Sequence, residues 1–522
     1  MSGDTIQIFI SMIIYMAIVI GIGLFFAKRA NESSENFFLG GRSIGPWVTA
    51  LSAEASDMSG WLLMGLPGVA YWCGLSDAAW TAIGLAIGTY INWLIVARRL
   101  RRYSIVAGDA ITLPDFLSNR FKEKNKLIMT ISAVFILVFF TVYAASCFVT
   151  VGKLFSTLFG FSYVSMMITG AVFVVFYTFV GGFLAETASD TMQGIVMFIA
   201  LTVILTVGTA VAGGLAVVLK NAKSIPGFFE FFGIASPTVV DGVQQVQNGA
   251  PQFGEAGKYG LYTILSTCAW GLGYFGMPQV LLRFMAIRDE NELVLSRRIA
   301  TIWVVISLFA AVAIGIIGRA LFPTELQTAG AAESIFIVLS SHLLPALIAG
   351  FVMAGILAAT ISSSDSYLLI AASAFAKNIY EGLLKKDAND KQVMNVSRII
   401  LITISLIGIV IALDKNSIIF KIVSFAWAGF GATFGPIMLF SLFWKRTTRE
   451  GAIAGMLAGG IMVFVWKLLL KPMGGIFGVY ELLPAFIFSG IFIYVVSKMT
   501  PEPSKEIQAE FDMAKSGERA KV

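Results

Sequence analysis

Charge is scarce in this chain. Asp, Glu, Lys and Arg together make up only 13% of its 522 residues, against about 25% in an ordinary soluble domain. A water-soluble chain of this length divides into domains whose surfaces need charge to cover them. The shortage excludes a soluble globular enzyme, a disordered chain and a nucleic-acid module. The net charge of +6 does not gather into one basic patch, so it does not point to nucleic acid either. Histidine is scarcer still. The single one, His342, excludes a multi-histidine proton relay or metal centre. The three cysteines, Cys73, Cys147 and Cys268, are odd in number and far apart, and they sit in or beside apolar stretches. That pattern builds neither a disulfide framework nor a metal cluster. The N-terminal apolar stretch has no basic flank and no small-residue cleavage site, so it does not read as a removable signal.

What the chain has is apolar length. Hydrophobic residues make up 57% of it, and its mean hydropathy is +0.83. A membrane-spanning helix needs about 20 apolar residues. Thirteen segments meet that requirement: 5–27, 46–70, 74–97, 127–152, 162–180, 188–214, 259–282, 299–318, 334–376, 395–413, 418–444, 450–470 and 476–497. The chain is therefore predicted to be an all-α polytopic membrane protein, one transmembrane domain over 1–498 with a polar tail at 499–522. The segment 334–376 exceeds one straight crossing and predicts either a tilted helix reaching into water or a helix plus a break. With the N-terminus outside, 28 of the 37 basic residues fall in inner loops and the tail. Positive charge stays on the cytoplasmic side, so the C-terminus is placed in the cytoplasm of a cell with this protein in its plasma membrane. The stretch 181–187, an inner loop without a basic residue, is the weak point of that alternation. The stretch 215–258 is the longest outside the membrane and is suited to capping an outer vestibule.

Irregular backbone and ionisable side chains are costly in hydrocarbon and persist where they line a pathway. Three spans break the apolar rule. The second holds Ser52, Glu54, Ala55, Ser56, Asp57, Met58, Ser59, Gly60 and Trp61, then Gly65, Pro67 and Gly68. Small residues permit unwinding, which frees carbonyls for a hard cation; a polar face against another helix is the alternative. The seventh runs Trp270-Gly271-Leu272-Gly273-Tyr274-Phe275-Gly276-Met277-Pro278-Gln279. It suits a helix break with Trp270 and Tyr274 on one face, or else a glycine seam between packed helices. The ninth holds Ala359, Ser362, Ser363, Asp365 and Ser366. Its hydroxyls and the Ala359 carbonyl suit a small cation, unless the serines merely bond back to their own helix. Asp190 opens the sixth span, as an N-cap or as an ion-binding group. Arg42, before the second span, is either an ordinary positive-inside residue or a gate-closing ion-pair partner. Interruptions in the second and seventh spans, five apart, predict two inverted five-span repeats at about 46–214 and 259–444 around a midplane site.

These residues carry a resemblance. Leu39-Gly40-Gly41-Arg42-Ser43, Ala50-Leu51-Ser52-Ala53, the run Ala55 to Gly68, Phe139 to Tyr143, Gly181 to Ala185, Trp270 to Gly276 and Ala426 to Gly431 resemble the sodium:solute symporter family. The likeness is strongest to members that carry L-proline, and it runs over about 37–497. It implies a LeuT-type 5+5 core with thirteen transmembrane helices and sodium as the coupling ion, with no other cofactor. The resemblance implies sodium at Ala55, Asp57, Met58, Ala359, Ser362 and Ser363. It implies L-proline near Ser59, Gly60, Trp61, Tyr143, Trp270, Tyr274 and Pro278, and a sodium-linked role for Asp190. Against the proline-carrying members, Ser363 stands in place of Thr and Met277 in place of Gln. Glu54 and Asp365 stand where neutral or small residues are usual, which suggests an additional cation or a shared proton. Other solutes (a carboxylate, a sugar, pantothenate) and, from another class, a channel or sensor on the same scaffold stay open, as does the oligomeric state.

Overall fold

The computed structural model describes residues 3–30 and 32–517; the side chains at 27–30, 34, 180 and 181 lie outside that description. So do Arg519 and Lys521, two of the basic residues behind the predicted orientation, together with the side chains of Lys28 and Arg29. The main helices, in chain order, are α1 Gly3–Ala30, α2 Pro46–Asp57, α3 Trp61–Cys73, α4 Leu75–Val106, α5 Leu127–Phe159, α6 Tyr163–Phe179 and α7 Gly182–Val211. It continues with α8 Leu261–Cys268, α9 Pro278–Ala286, α10 Glu290–Leu321, α11 Ile335–Leu343, α12 Ala346–Leu384 and α13 Asp390–Ile411. The last are α14 Ile419–Phe443, α15 Arg449–Met473, α16 Leu482–Met499 and α17 Lys505–Ser516. Among the described residues ten of these (α1, α4, α5, α7, α10, α12 to α16) are long and apolar enough to cross a membrane, and α3 and α6 are shorter apolar helices. The protein is a multi-pass membrane protein.

The apolar residues face outward as well as inward, as a lipid solvent requires. On α1 the exposed positions include Ile6, Ile10, Ile13 and Ile14, and on α13 they include Ile399, Leu406 and Val410. Polar residues turn inward instead: Glu54, Asp57, Glu186, Asp190, Arg283 and Asp365 are all buried. This distribution puts a small set of charged side chains inside the bundle.

Of the two readings of the long segment at 334–376, the structure takes the helix plus a break. Leu344 and Pro345 separate the short α11 from α12, which begins at Ala346 and continues through a π-helical stretch to Leu384. Pro345 lacks the N–H that would continue α11, and it stands as the N-cap of α12. The 181–187 stretch is not a loop. A kink at Gly182, with φ 59° and ψ −175°, joins α6 directly to α7. Only glycine adopts that backbone without strain. A cytoplasmic loop that does not exist has no basic residues to show. The 215–258 stretch folds as a helix, Leu215–Ser224, followed by short antiparallel strand pairs. The tail forms α17, whose Phe511 is buried between the guanidinium groups of Arg99 and Arg120 (4.9 and 5.5 Å to the ring centre).

Candidate functional site

The second and seventh spans are both interrupted in mid-course. α2 ends at Asp57, where the Met58 N–H closes the last turn on the Glu54 carbonyl (2.9 Å), and α3 resumes at Trp61. Between them Met58 leaves helical geometry (ψ 61°). A Cβ on Gly60 would lie 2.5 Å from Thr150, so only glycine lets the broken strand of chain approach α5 this closely. The seventh span passes from α8 through a 3-10 stretch at Ala269–Gly276 to an extended Met277, and α9 then starts with Pro278. Freed carbonyls are expensive in a membrane interior unless other groups satisfy them. Here side chains do so: Trp427 Nε1 donates to the Trp270 carbonyl (2.8 Å) and Asn92 to that of Tyr274 (3.0 Å).

α12 runs past the first break. The Ser362 hydroxyl donates to the Ala55 carbonyl at 2.8 Å and lies 3.3 Å from the Ala359 carbonyl, and the Ser363 hydroxyl is 3.4 Å from the same Ala55 oxygen. Two carbonyls and two hydroxyls from two helices therefore converge, a hard-oxygen set of the kind a small cation takes. The serines bond across to α2 as well as back along their own helix, so back-bonding alone does not account for them.

Beside this set, Asp57 Oδ1 accepts from Gln279 Nε2 (3.1 Å), and the Tyr143 hydroxyl reaches the Asp57 carbonyl at 3.4 Å. Asp57 Oδ2, Ser59 Oγ, Trp61 Nε1, Tyr274 OH, Gln279 Oε1 and Tyr367 OH are buried without a protein partner. The large majority of buried side-chain polar atoms are bonded, so six unpartnered ones gathered at the break suit a polar ligand. Aromatic rings wall it. Trp61 and Trp270 lie 5.9 Å apart, Trp270 stacks on Tyr480 at 5.3 Å and touches Phe420 at 5.2 Å, and Tyr274 meets Trp427 edge-on at 5.1 Å. The rings of Tyr143 and Tyr367 lie 4.2 Å apart, tilted by 31°.

Four predicted residues sit apart from this centre. Glu54 accepts from Trp93 Nε1 at 3.1 Å, with its second oxygen unpartnered. Asp190 lies on α7, well inside the helix that starts at Gly182, so it is not an N-cap. Its Oδ2 accepts from Ser52 (2.7 Å) and from Arg283 (3.1 Å). Asp365 accepts from the Ser366 N–H (2.8 Å) and leaves Oδ2 unpartnered. Arg42 is far from the cation set. Its guanidinium binds Asp109, Ser104 and the carbonyls of Ala110 and Met285 at 2.7–3.1 Å, which ties the start of the second span to the end of α9. The Arg288 N–H adds a bond to the Ile44 carbonyl at 3.0 Å.

Arg283 follows the predicted seventh span, 259–282, directly and so falls among the inner-loop basic residues of the sequence. It is fully buried and pairs with Glu186 and Asp190. Gln279 and Glu186 were missed with it. A signal existed: Gln279 and Arg283 are four apart, as are Glu186 and Asp190, so each pair shares a helix face.

The interrupted helices, the oxygen set at the first break and the inward-facing charge define the class: a membrane transport protein with a cation-coupled symporter fold. The chain belongs to the sodium:solute symporter family, whose model matches residues 37–459. It is 41% identical over 515 residues to "Sodium/proline symporter 2" of Staphylococcus saprophyticus, covering 98% of this chain and 96% of that one. It is 40% identical over 523 residues to "Sodium/proline symporter" of Staphylococcus aureus, covering 99% and 97%. Two solved structures share the fold. One is a Na+-coupled sialic acid symporter in a substrate-bound, outward-open state (TM-score 0.75, 18% identity, 96% of this chain and 99% of that one). The other is a nucleobase-cation-symport-1 family transporter in a closed conformation with bromovinylhydantoin bound (TM-score 0.51, 11% identity, 91% and 98%). At these identities the likeness is of fold alone.

Proposed function

We propose that this protein carries L-proline into the cell with sodium, by alternating access, across the plasma membrane. Thirteen crossings, one before and two after a pair of inverted five-span repeats (46–214 and 259–444), with the N-terminus outside and the tail in the cytoplasm, are the matching topology. The observation that carries the reading is the meeting of the Ala55 and Ala359 carbonyls with the Ser362 and Ser363 hydroxyls at a broken helix. α2 presents its carbonyl end to the break and favours a cation there, while α3 and α9 present their N-terminal ends and favour a carboxylate. Sodium, bound by these oxygens with Met58 and steadied by Asp57, orders the break. The ordered break then holds proline, its carboxylate toward Ser59, Gly60 and the start of α9 at Pro278, its ring against Trp61, Tyr143, Trp270 and Tyr274. Such coupling is worth roughly 1–3 kcal/mol and is reciprocal between the two ligands. The names of the relatives at 40–41% identity favour proline over another solute.

Sodium-gradient-driven uptake of labelled proline into proteoliposomes, with a competing panel of amino acids, carboxylates and sugars, tests the reading. Uptake indifferent to sodium, or competed best by a non-amino acid, refutes it. Trp270→Ala and Tyr274→Ala are expected to weaken apparent proline affinity about tenfold, since an aromatic contact is worth about 0.5–1.5 kcal/mol beyond its buried area. A fall in maximal rate with affinity intact contradicts the assignment. Glu54 and Asp365 are proposed to hold an additional cation or a shared proton. Glu54→Gly and Asp365→Ser are expected to change the bound-sodium count or the pH dependence of uptake; if both variants match the parent, the two carboxylates have no such role.

A further inference from the structure

A groove of about 620 Å³ lies away from the broken helices, between α4, α7 and α10. Its floor is a run of small side chains, Ala79, Ala82 and Ala86, which are three and four residues apart and share one face of α4. Val305 and Phe309 of α10 flank it and are 48% and 66% exposed, so the groove opens on the outward, apolar surface of the bundle. Thr209 is the one polar side chain along it, and its hydroxyl is spent on the Leu205 carbonyl (2.6 Å). Along α4 the groove runs from Leu75 to Ala86, about 16 Å at 1.5 Å per residue. That matches the hydrocarbon depth of one leaflet, about 15 Å.

The end of the groove at Leu75 is roofed by the helix Leu215–Ser224 and by Phe229 and Phe231. That helix borders the groove with Leu215, Val218 and Leu219, and it carries Lys220 and Lys223 with no acid. Both lysines are exposed, and neither has a carboxylate partner among the described residues. Lys223 follows Leu219 by one turn, so it shares the helix face that borders the groove. The acid nearest to them in sequence, Glu230, lies against Gly233. Phe231 and Phe232 are exposed beside them, and Trp80 Nε1 donates to the Phe231 carbonyl (2.8 Å). Aromatic rings collect in this way where hydrocarbon meets headgroups.

We propose that the groove binds one acyl chain of an anionic phospholipid, with the lipid phosphate at Lys220 and Lys223. An apolar hollow offers water no partners, and hydrocarbon of one leaflet's length fills it. The lysines lie at the headgroup level, where each basic residue adds attraction for an anionic lipid. A zwitterionic lipid brings the same chains without net charge, so the two lysines make the selection. The opposite face of α4 packs on the break in the seventh span, where a Cβ on Gly88 would lie 2.3 Å from the Gly271 carbonyl oxygen. The bound chain therefore sits behind one wall of the candidate transport site. Its binding is independent of which solute the protein carries.

The test is native mass spectrometry of the full-length protein, stripped of co-purified lipid and titrated with phosphatidylglycerol or phosphatidylcholine of identical chains. The parent is expected to hold one phosphatidylglycerol about tenfold more tightly than phosphatidylcholine. Ala82→Phe fills the groove and is expected to lose that tightly held lipid. Ala313→Leu intrudes from the α10 wall and serves the same purpose if Ala82→Phe does not fold. Lys220→Gln combined with Lys223→Gln changes only exposed positions and is expected to level the two lipids. A parent that holds both lipids equally overturns the site. So does a phosphatidylglycerol preference unchanged in the lysine double variant, or tight lipid kept in both filled variants. Several equivalent lipids retained alike by parent and variants are a bulk annulus and overturn it as well.

Discussion

Asp57→Cys and Ser362→Ala are each expected to abolish sodium-driven proline uptake at ordinary sodium concentrations. Ser362 supplies a hydroxyl 2.8 Å from the Ala55 carbonyl, and alanine removes that oxygen from the cation set without changing the helix. Asp57 places a buried carboxylate at the break itself, held by Gln279 at 3.1 Å. Removing its charge deletes the field that favours a cation and frees the end of α2 from α9. Loss of one supporting group at a metal site typically costs about 10–100-fold in affinity or activity, and two such groups act here on one ion. The half-saturating sodium concentration, read from uptake at fixed proline, measures the effect directly. Ser362→Thr keeps the oxygen and is expected to retain coupling. A sodium dependence unchanged in Asp57→Cys or Ser362→Ala refutes the assignment of the site.

The second large effect is on stability. Glu333 is buried at 1% exposure and serves two elements at once. One oxygen accepts from Lys153 Nζ (2.8 Å) and from the Ile419 N–H (2.9 Å), the other from the Phe420 N–H (2.9 Å). Ile418 cannot cap α14 with its own side chain, so Glu333 satisfies the orphan donors of that first turn. Glu333→Ala strands the Lys153 ammonium and uncaps α14. Breaking one side of a buried pair costs about 3–5 kcal/mol. Phe420, which packs on Trp61 and Trp270, would lose its support, so proline affinity is expected to fall with stability. Thermal unfolding of the purified protein reports the first effect. The double variant Lys153→Met, Glu333→Leu is expected to recover part of the loss, because it leaves no unpaired charge. A melting temperature unchanged in Glu333→Ala contradicts this account.

Much of the site could be read from the chain because lipid makes polarity conspicuous. Ser52 to Ser59 and Ala359 to Ser366 stand out in apolar surroundings, and glycines with a proline mark 269–278 as unable to continue a regular helix. The structure places the breaks there, at Met58–Gly60 and at Ala269–Met277. Arg283 was not legible, because a basic residue near a predicted membrane boundary reads as a positive-inside residue. Only the position of α9 against α7 reveals that it faces two carboxylates. The kink at Gly182 reads as a loop in the sequence for a related reason: a single residue at φ 59° separates two helices without the polar residues that announce a turn.

By itself the sequence determined the solvent, the helical class and the segments where the backbone breaks. These follow from composition and from local rules, since lipid forbids unsatisfied backbone and penalises charge wherever it occurs. Only the tertiary structure decided partnership: that Ser362 reaches Ala55 across 307 residues, that Glu333 caps a helix 86 positions onward, and that Arg283 closes on Glu186 and Asp190. Hydrogen bonds and ion pairs act over about 3 Å, and which distant residues come that close is set by helix packing rather than by any pattern along the chain.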